Sequence, residues 1–126
     1  MQNILNDSIN RIQNGQKFLF SEIEVSESKV VLNFLKLLYK EGFIRGFKKR
    51  KKNIVVYLKY YNGKPTISYI KSVSTKNKRV YMSYMDVIKC SNLKETFILG
   101  TTQGFCTSKN LFDSRFSGGE VVCKIF

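Results

Sequence analysis

The sequence predicts an α+β protein of two small domains: an N-terminal α/β unit ordered helix-strand-helix-strand-strand, and a β-rich C-terminal domain with short helices. Three observations carry that prediction. Apolar residues recur at helical spacing in two stretches of the first half, each followed by alternating or β-branched runs. Turn-forming residues meet the single proline at one place, Asn62-Gly63-Lys64-Pro65. Beyond that place the chain breaks into short β-type runs. The boundary is therefore expected there, with domains at residues 1–63 and 66–126.

Taken in order, residues 3–14 set Leu5, Ile9 and Ile12 at helical spacing, with Asp7 and Arg11 four apart on another face. Asn14-Gly15 supplies a stop. Residues 17–25 alternate, placing Leu19, Ser21, Ile23 and Val25 on one face of a strand. Ser26-Glu27-Ser28 offers N-cap hydroxyls to a second helix over residues 29–41, closed by Gly42, with Val31, Phe34, Leu35 and Leu38 as its buried stripe. Strands at 43–47 and 54–61 follow, joined by the tip Lys48-Lys49-Arg50-Lys51-Lys52-Asn53. In the second half, strands are predicted over 66–73, 79–83, 96–101 and 120–126, with helical turns over 84–90 and 107–113.

Composition narrows the function. A chain of 126 residues, 43% hydrophobic, can bury one modest core or two very small ones. Lys and Arg number 22 against 9 Asp and Glu, a net charge of +13. Such a surface repels itself, and an anionic partner is the usual compensation: nucleic acid first, an anionic membrane second. The plain alternative is a protein kept soluble by lysine. Three cysteines without a Cys-x-x-Cys pair argue against a disulfide scaffold and for a reducing compartment. The absence of histidine removes the commonest general base and the usual zinc ligand, so neither a metal, a cofactor nor an enzyme activity is expected. No apolar run approaches the ~20 residues of a membrane span, and residues 1–12 read as part of the fold rather than as a leader. Heavy use of Lys, Asn, Ile and Phe points to an AT-rich coding sequence, organellar or bacterial.

Charge is unevenly placed. Between Arg45 and Arg79 stand twelve basic residues and no acid, densest at Lys48–Lys52. That tip alone is either a solvated hairpin or a targeting-type basic run, but the acid-free window spans several elements. Phosphate contacts from such a surface give affinity with little specificity. Specificity needs hydroxyls and backbone groups that reach base edges or ribose 2′-hydroxyls. Thr101, Thr102 and Thr107, with the amides at Gly100 and Gly104, form the best such cluster, though a plain β-turn explains them equally. Ser117-Gly118-Gly119 permits a tight entry into the last strand. Glu120 is either a solvated strand-end acid or an acceptor for base amino and ribose hydroxyl groups. Among the tyrosines, Tyr81, which follows Lys78-Arg79, is the candidate to stack on a base.

At these residues the chain resembles a known family, bacterial-type ribosomal protein eight of the small subunit, over nearly its whole length. Asn10-Arg11-Ile12-Gln13-Asn14-Gly15 matches the family's Thr-Arg-Ile-Arg-Asn-Gly pattern. Ser28-Lys29, Lys40-Glu41-Gly42-Phe43-Ile44, Leu58-Lys59-Tyr60, Val73-Ser74 and Arg79-Val80-Tyr81 follow in register. The most specific match is Thr101-Thr102-Gln103-Gly104, followed sixteen residues later by Glu120 in Gly118-Gly119-Glu120-Val121-Val122-Cys123. The resemblance implies a structural constituent of the small ribosomal subunit. It would be a primary rRNA-binding protein whose C-terminal domain grips a central-domain hairpin and helps assemble the subunit for translation. By position, Gly100, Thr101, Thr102, Gly104, Thr107, Lys109 and Glu120 would form that grip, supported by Arg79 and Tyr81. Ser28, Lys29 and Arg11 would add backbone contacts from the N-terminal domain. Small-subunit protein five is the implied protein neighbour, and no small-molecule substrate is implied.

The expected setting is a small subunit in a mitochondrion, with a plastid or a bacterial cytoplasm as alternatives. Alternative functions are a translational repressor binding an mRNA mimic of the hairpin, or a non-ribosomal basic RNA-binding protein. Three departures from the family pattern stand out. Gly100 replaces a loop serine, Gln103 a loop lysine, and Lys76-Asn77 a Pro-Gly turn, while the Lys48–Lys52 tip is more basic than the family usually is.

Overall fold

The structure is a computed structural model that describes residues 2–74, 80–83, 85, 86, 89, 96–101, 104–108 and 118–125. The chain is mixed α+β and divides into two compact units, Met1–Ile70 and Lys71–Phe126.

In the first unit, α1 (Gln2–Lys17) buries Leu5, Ile9 and Ile12 as its spacing predicts. It does not stop at Asn14-Gly15. A Cβ on Gly15 would lie 2.6 Å from Ile23 Cγ2 and 2.8 Å from Leu58 Cδ1, so this glycine serves close packing rather than termination. The helix ends at Lys17, and Leu19 takes a left-handed conformation with φ 61°. This correction shortens the expected strand: β1 is Glu22–Ser26, and Phe18, Leu19 and Phe20 are exposed in the turn before it. Tyr60 Oη holds that turn by donating to Phe20 O.

α2 (Lys29–Lys40) buries Val31, Phe34, Leu35, Leu37 and Leu38. Ser28 stands at its N-cap position, but the expected side-chain cap bond is absent; the first turn closes through Leu32 N–H to Ser28 O at 2.9 Å. At the other end Gly42 adopts φ +82°, its N–H donates to Tyr39 O, and Phe43 N–H donates to Leu38 O. Those two bonds form a Schellman stop. β2 (Ile44–Lys49) and β3 (Asn53–Leu58) make a hairpin, and β3 is the central strand of the antiparallel order β1-β3-β2. Being central, β3 buries Ile54, Val55, Val56 and Leu58 in near-continuous succession. A register shift at Arg45 leaves its guanidinium to donate to Leu58 O at 3.1 Å and to sit 5.6 Å from the Tyr57 ring.

β4 (Tyr60–Tyr61) and β5 (Lys64–Pro65) form a small hairpin across Asn62 and Gly63, both at positive φ. The chain then stays on the first unit. Ile67 N–H donates to Gln16 Oε1 at 3.2 Å, and Ile70 N–H to Gln13 Oε1 at 2.8 Å. Residues 66–69 therefore do not belong to the strand predicted over 66–73; β6 covers only Ile70–Ser72.

The sheet of the second unit is built on β10 (Gly118–Ile125). Its order is β6-β10-β8-β9, with β7 (Tyr81–Ser83) also paired to β10; β8 is Thr96–Thr101 and β9 is Gly104–Thr107. Thr107 ends β9 and Ser108 is helical, so the turn expected over 107–113 starts one residue later; residues 109–113 lie outside the described residues. Leu99 and Val121 pack on one side of this sheet with Val73, Val80, Met82, Phe97 and Cys106. Cys123 is buried, which pushes its thiol pKa far up and keeps it protonated. Met85, Asp86 and Lys89 are helical, within the turn predicted over 84–90. That turn starts on a reciprocal cap: Asp86 Oδ2 accepts from Ser83 N–H at 3.2 Å, and Asp86 N–H donates to Ser83 Oγ at 3.3 Å.

Candidate nucleic-acid interface

Strand register assembles the C-terminal candidates. Glu120 on β10 lies directly opposite Tyr81 on β7 and directly opposite Gly100 on β8; Gly100 in turn faces Phe105 on β9. Directly opposed residues of antiparallel strands share a sheet face. Tyr81, Glu120, Gly100 and Phe105 therefore form one row across four strands. The next pair out, Thr101 and Gly104, is the last of the β8–β9 ladder. Thr102, Arg79 and Lys109 lie outside the described residues.

Each member of the row contributes something different. Glu120 is half-buried, with carboxylate oxygen Oε1 shielded from solvent. Tyr81 is 68% exposed, an outward ring beside that carboxylate. Gly100 leaves a notch between Glu120 and Phe105. A methyl group there would meet Val122 Cγ2 at 3.7 Å and Phe105 Cε1 at 4.0 Å, ordinary contacts, so the notch is not forced by crowding. Gly104 does need to be glycine, because its φ of +111° is a conformation other residues rarely adopt. Thr107 is buried on β9 opposite Ile98, and the neighbouring Ser108 Oγ accepts from Phe97 N–H at 3.2 Å.

The row is held from behind by a residue without a role in the sequence-based site. Ser74 is fully buried; its Oγ accepts from Val80 N–H at 2.9 Å and donates to Val121 O. Val121 N–H donates to Val80 O at 2.8 Å. Ser74 thus ties the residue before Tyr81 to the residue after Glu120. Phe105 was also missed, although the alternation Phe105-Cys106-Thr107 after a glycine is a weak strand signal.

The N-terminal candidates are distributed differently. Arg11 is exposed, and its guanidinium donates to Asp7 Oδ2 at 3.0 Å and to Glu24 O at 3.1 Å. Lys29 is exposed in the first turn of α2, which holds no acid, next to half-buried Ser28. Among the described residues, no group of three or more His, Cys, Asp or Glu gathers to hold a metal, and no helix is long and apolar enough to cross a membrane.

The order of these features along the chain has a counterpart in known proteins. The sequence profile of the family described as Ribosomal protein S8 matches residues 3–126. This chain belongs to that family. Relatives named "Small ribosomal subunit protein uS8" are similar over almost their full length. The protein of Hyphomonas neptunium is 39% identical over 126 residues, 97% of this chain and 95% of its own. That of Oleidesulfovibrio alaskensis is 36% identical over 120 residues, 95% and 94% of the two chains. That of Ehrlichia chaffeensis is 38% identical over 120 residues, 91% and 90%. These relatives are bacterial.

Proposed function

We propose that the chain is a structural, non-catalytic component of the small ribosomal subunit that binds a central-domain rRNA hairpin through the row Tyr81–Glu120–Gly100–Phe105 and the adjoining Thr101–Gly104 hairpin. The observation that carries this is the register, which sets a half-buried carboxylate beside an exposed aromatic ring and a glycine notch. A carboxylate accepts hydrogen bonds and repels phosphate. It therefore selects base amino or imino groups and ribose 2′-hydroxyls over the RNA backbone, which is how a basic protein gains specificity. Tyr81 offers a face for stacking, and Gly100 lets an RNA group approach the strand. Thr101, Thr102 and Gly104 supply hydroxyl and amide contacts at the hairpin end, while Arg79, Lys109, Lys29, Ser28 and Arg11 flank the backbone. Thr107 supports the grip from within β9.

Family membership supports the ribosomal setting and a small-subunit protein such as protein five as neighbour. The Lys-, Asn- and Ile-rich composition fits an AT-rich genome, that of a mitochondrion or of a bacterium, and organelle fractionation separates the two. Replacing Thr102 and Glu120 by Ala tests the site itself. Binding to the cognate hairpin should weaken while binding to random RNA of equal length stays nearly constant. Equal loss on both RNAs would sink the assignment.

A further inference from the structure

We propose that the tip of the β2–β3 hairpin is a second RNA-contact site, one that holds phosphodiester backbone without reading sequence. The idea rests on the RNA-binding function proposed above and assigns a part of that binding to a place outside the C-terminal sheet.

Lys48, Lys49, Arg50, Lys51 and Lys52 are consecutive and all exposed. The hairpin does not need them. Its register follows from buried Ile54, Val55, Val56 and Leu58, against which Lys49 pairs with Ile54 and Lys48 with Val55. Arg50-Lys51-Lys52 contains no Gly, Asn, Asp, Ser or Pro, the residues that favour turns. The tip is nevertheless fixed in place: Arg50 N–H donates to Asn53 O at 2.8 Å and Glu27 N–H to Lys52 O at 3.1 Å. Apart from Lys49, which has a carboxylate partner, these adjacent cations at the anchored hairpin end repel one another and add nothing to the fold that uncharged side chains would not.

Nearby carboxylates offset only part of that charge. Glu27 pairs with Lys49 at 2.8 Å. Glu24 borders a shallow hollow of about 600 Å³ whose other walls are Arg50, Lys51, Lys52 and Asn53. Two carboxylates against five cations leave an excess of three positive charges. Successive strand residues point to opposite faces, so Lys48 and Lys49 flank the apex on both sides. Charges fanned in this way suit a string of phosphates better than a single carboxylate. A membrane fits less well, because residues 48–53 include no apolar side chain to enter it.

The test uses the full chain with Lys48, Arg50, Lys51 and Lys52 all replaced by Gln, leaving Lys49 in its ion pair. Binding to whole small-subunit RNA and to random RNA is measured between low and moderate salt. The slope of log affinity against log salt should fall by about 3 on both RNAs, from ~0.7–0.9 per lost phosphate contact. The ratio between the two affinities should not change. An unchanged slope overturns the proposal, and so does a lost ratio, which would place the tip in the sequence-reading site. A second measurement avoids substitution: acetylation of Lys51 and Lys52 by a water-soluble ester should slow at least tenfold on RNA binding. Equal rates overturn it, as does vesicle binding (phosphatidylserine and phosphatidylcholine) that RNA fails to displace. Failure of the C-terminal site would show separately, as an unchanged ratio in Glu120→Ala, and would leave the slope result standing.

Discussion

The hairpin tip of the first unit and the strand row of the second are both candidate RNA contacts, yet they relate to the fold in opposite ways. At the tip, Lys48–Lys52 project from the end of β2 and the turn beyond it, whose geometry is set by buried neighbours, so apart from the Lys49–Glu27 pair the fold does not use their charge. In the row, Glu120, Gly100 and Tyr81 are themselves ladder residues, and the buried Ser74 hydroxyl is part of both the packing and the site. A detached cluster of cations can provide affinity and salt dependence. Discrimination requires a carboxylate and a ring held at fixed separation, which a hydrogen-bonded sheet supplies. The difference predicts that tip substitutions change binding alone, whereas row substitutions change binding together with stability or specificity.

The largest expected effect is on discrimination. Glu120→Gln should lower affinity for the cognate hairpin by about 10- to 100-fold, the range of a hydrogen bond to a charged group, with random RNA bound as before. Filter binding against both RNAs checks it, and an equal change on both would erase the contrast with the tip. Next is Ser74→Ala. Removing a buried hydroxyl that serves Val80 N–H and Val121 O should cost about 1–3 kcal/mol in denaturant unfolding and reduce discrimination as well. The quadruple tip variant, in comparison, should stay within about 0.5 kcal/mol of the parent.

A smaller effect, with the opposite sign, sharpens the comparison. Gly100→Ser restores the hydroxyl that the family pattern has at this position. The nearest atoms to an added Cβ, at 3.7–4.0 Å, leave room for it. Affinity for the hairpin should rise about 3- to 10-fold, one ordinary hydrogen bond, and isothermal titration would detect it. A loss would show that the notch itself is needed.

The smallest effect concerns Asp86, whose carboxyl is held below the ordinary carboxylate range chiefly by the Ser83 backbone N–H and then by the Ser83 hydroxyl. A depressed folded-state pKa contributes stability above the unfolded value of ~3.9 and loses it as pH falls through the folded value. Asp86→Asn should therefore remove a small acid-side slope from the pH dependence of unfolding, the parent being slightly the more stable at neutral pH and the two converging in acid.

By itself, the sequence determined the α+β class, the buried stripe of α2 and its Gly42 stop, the β2–β3 hairpin, the strand at 96–101 and the concentration of positive charge. Each of these is written in local periodicity, turn chemistry or charge. It also brought Glu120, Gly100 and Tyr81 forward, through glycine-and-hydroxyl motifs and family resemblance. Tertiary structure alone decided the rest. Gly15 is helical because Ile23 and Leu58 press against it, not because the chain turns there. Residues 66–70 stay with the first unit because Gln13 and Gln16, more than fifty residues earlier, accept their amide protons. The row exists because β10 pairs with β7 on one edge and β8 on the other; that register adds Phe105 to the row, and Ser74 ties together the neighbouring residues Val80 and Val121. Pairing between distant strands depends on which faces are buried together, and no local window of sequence contains that information.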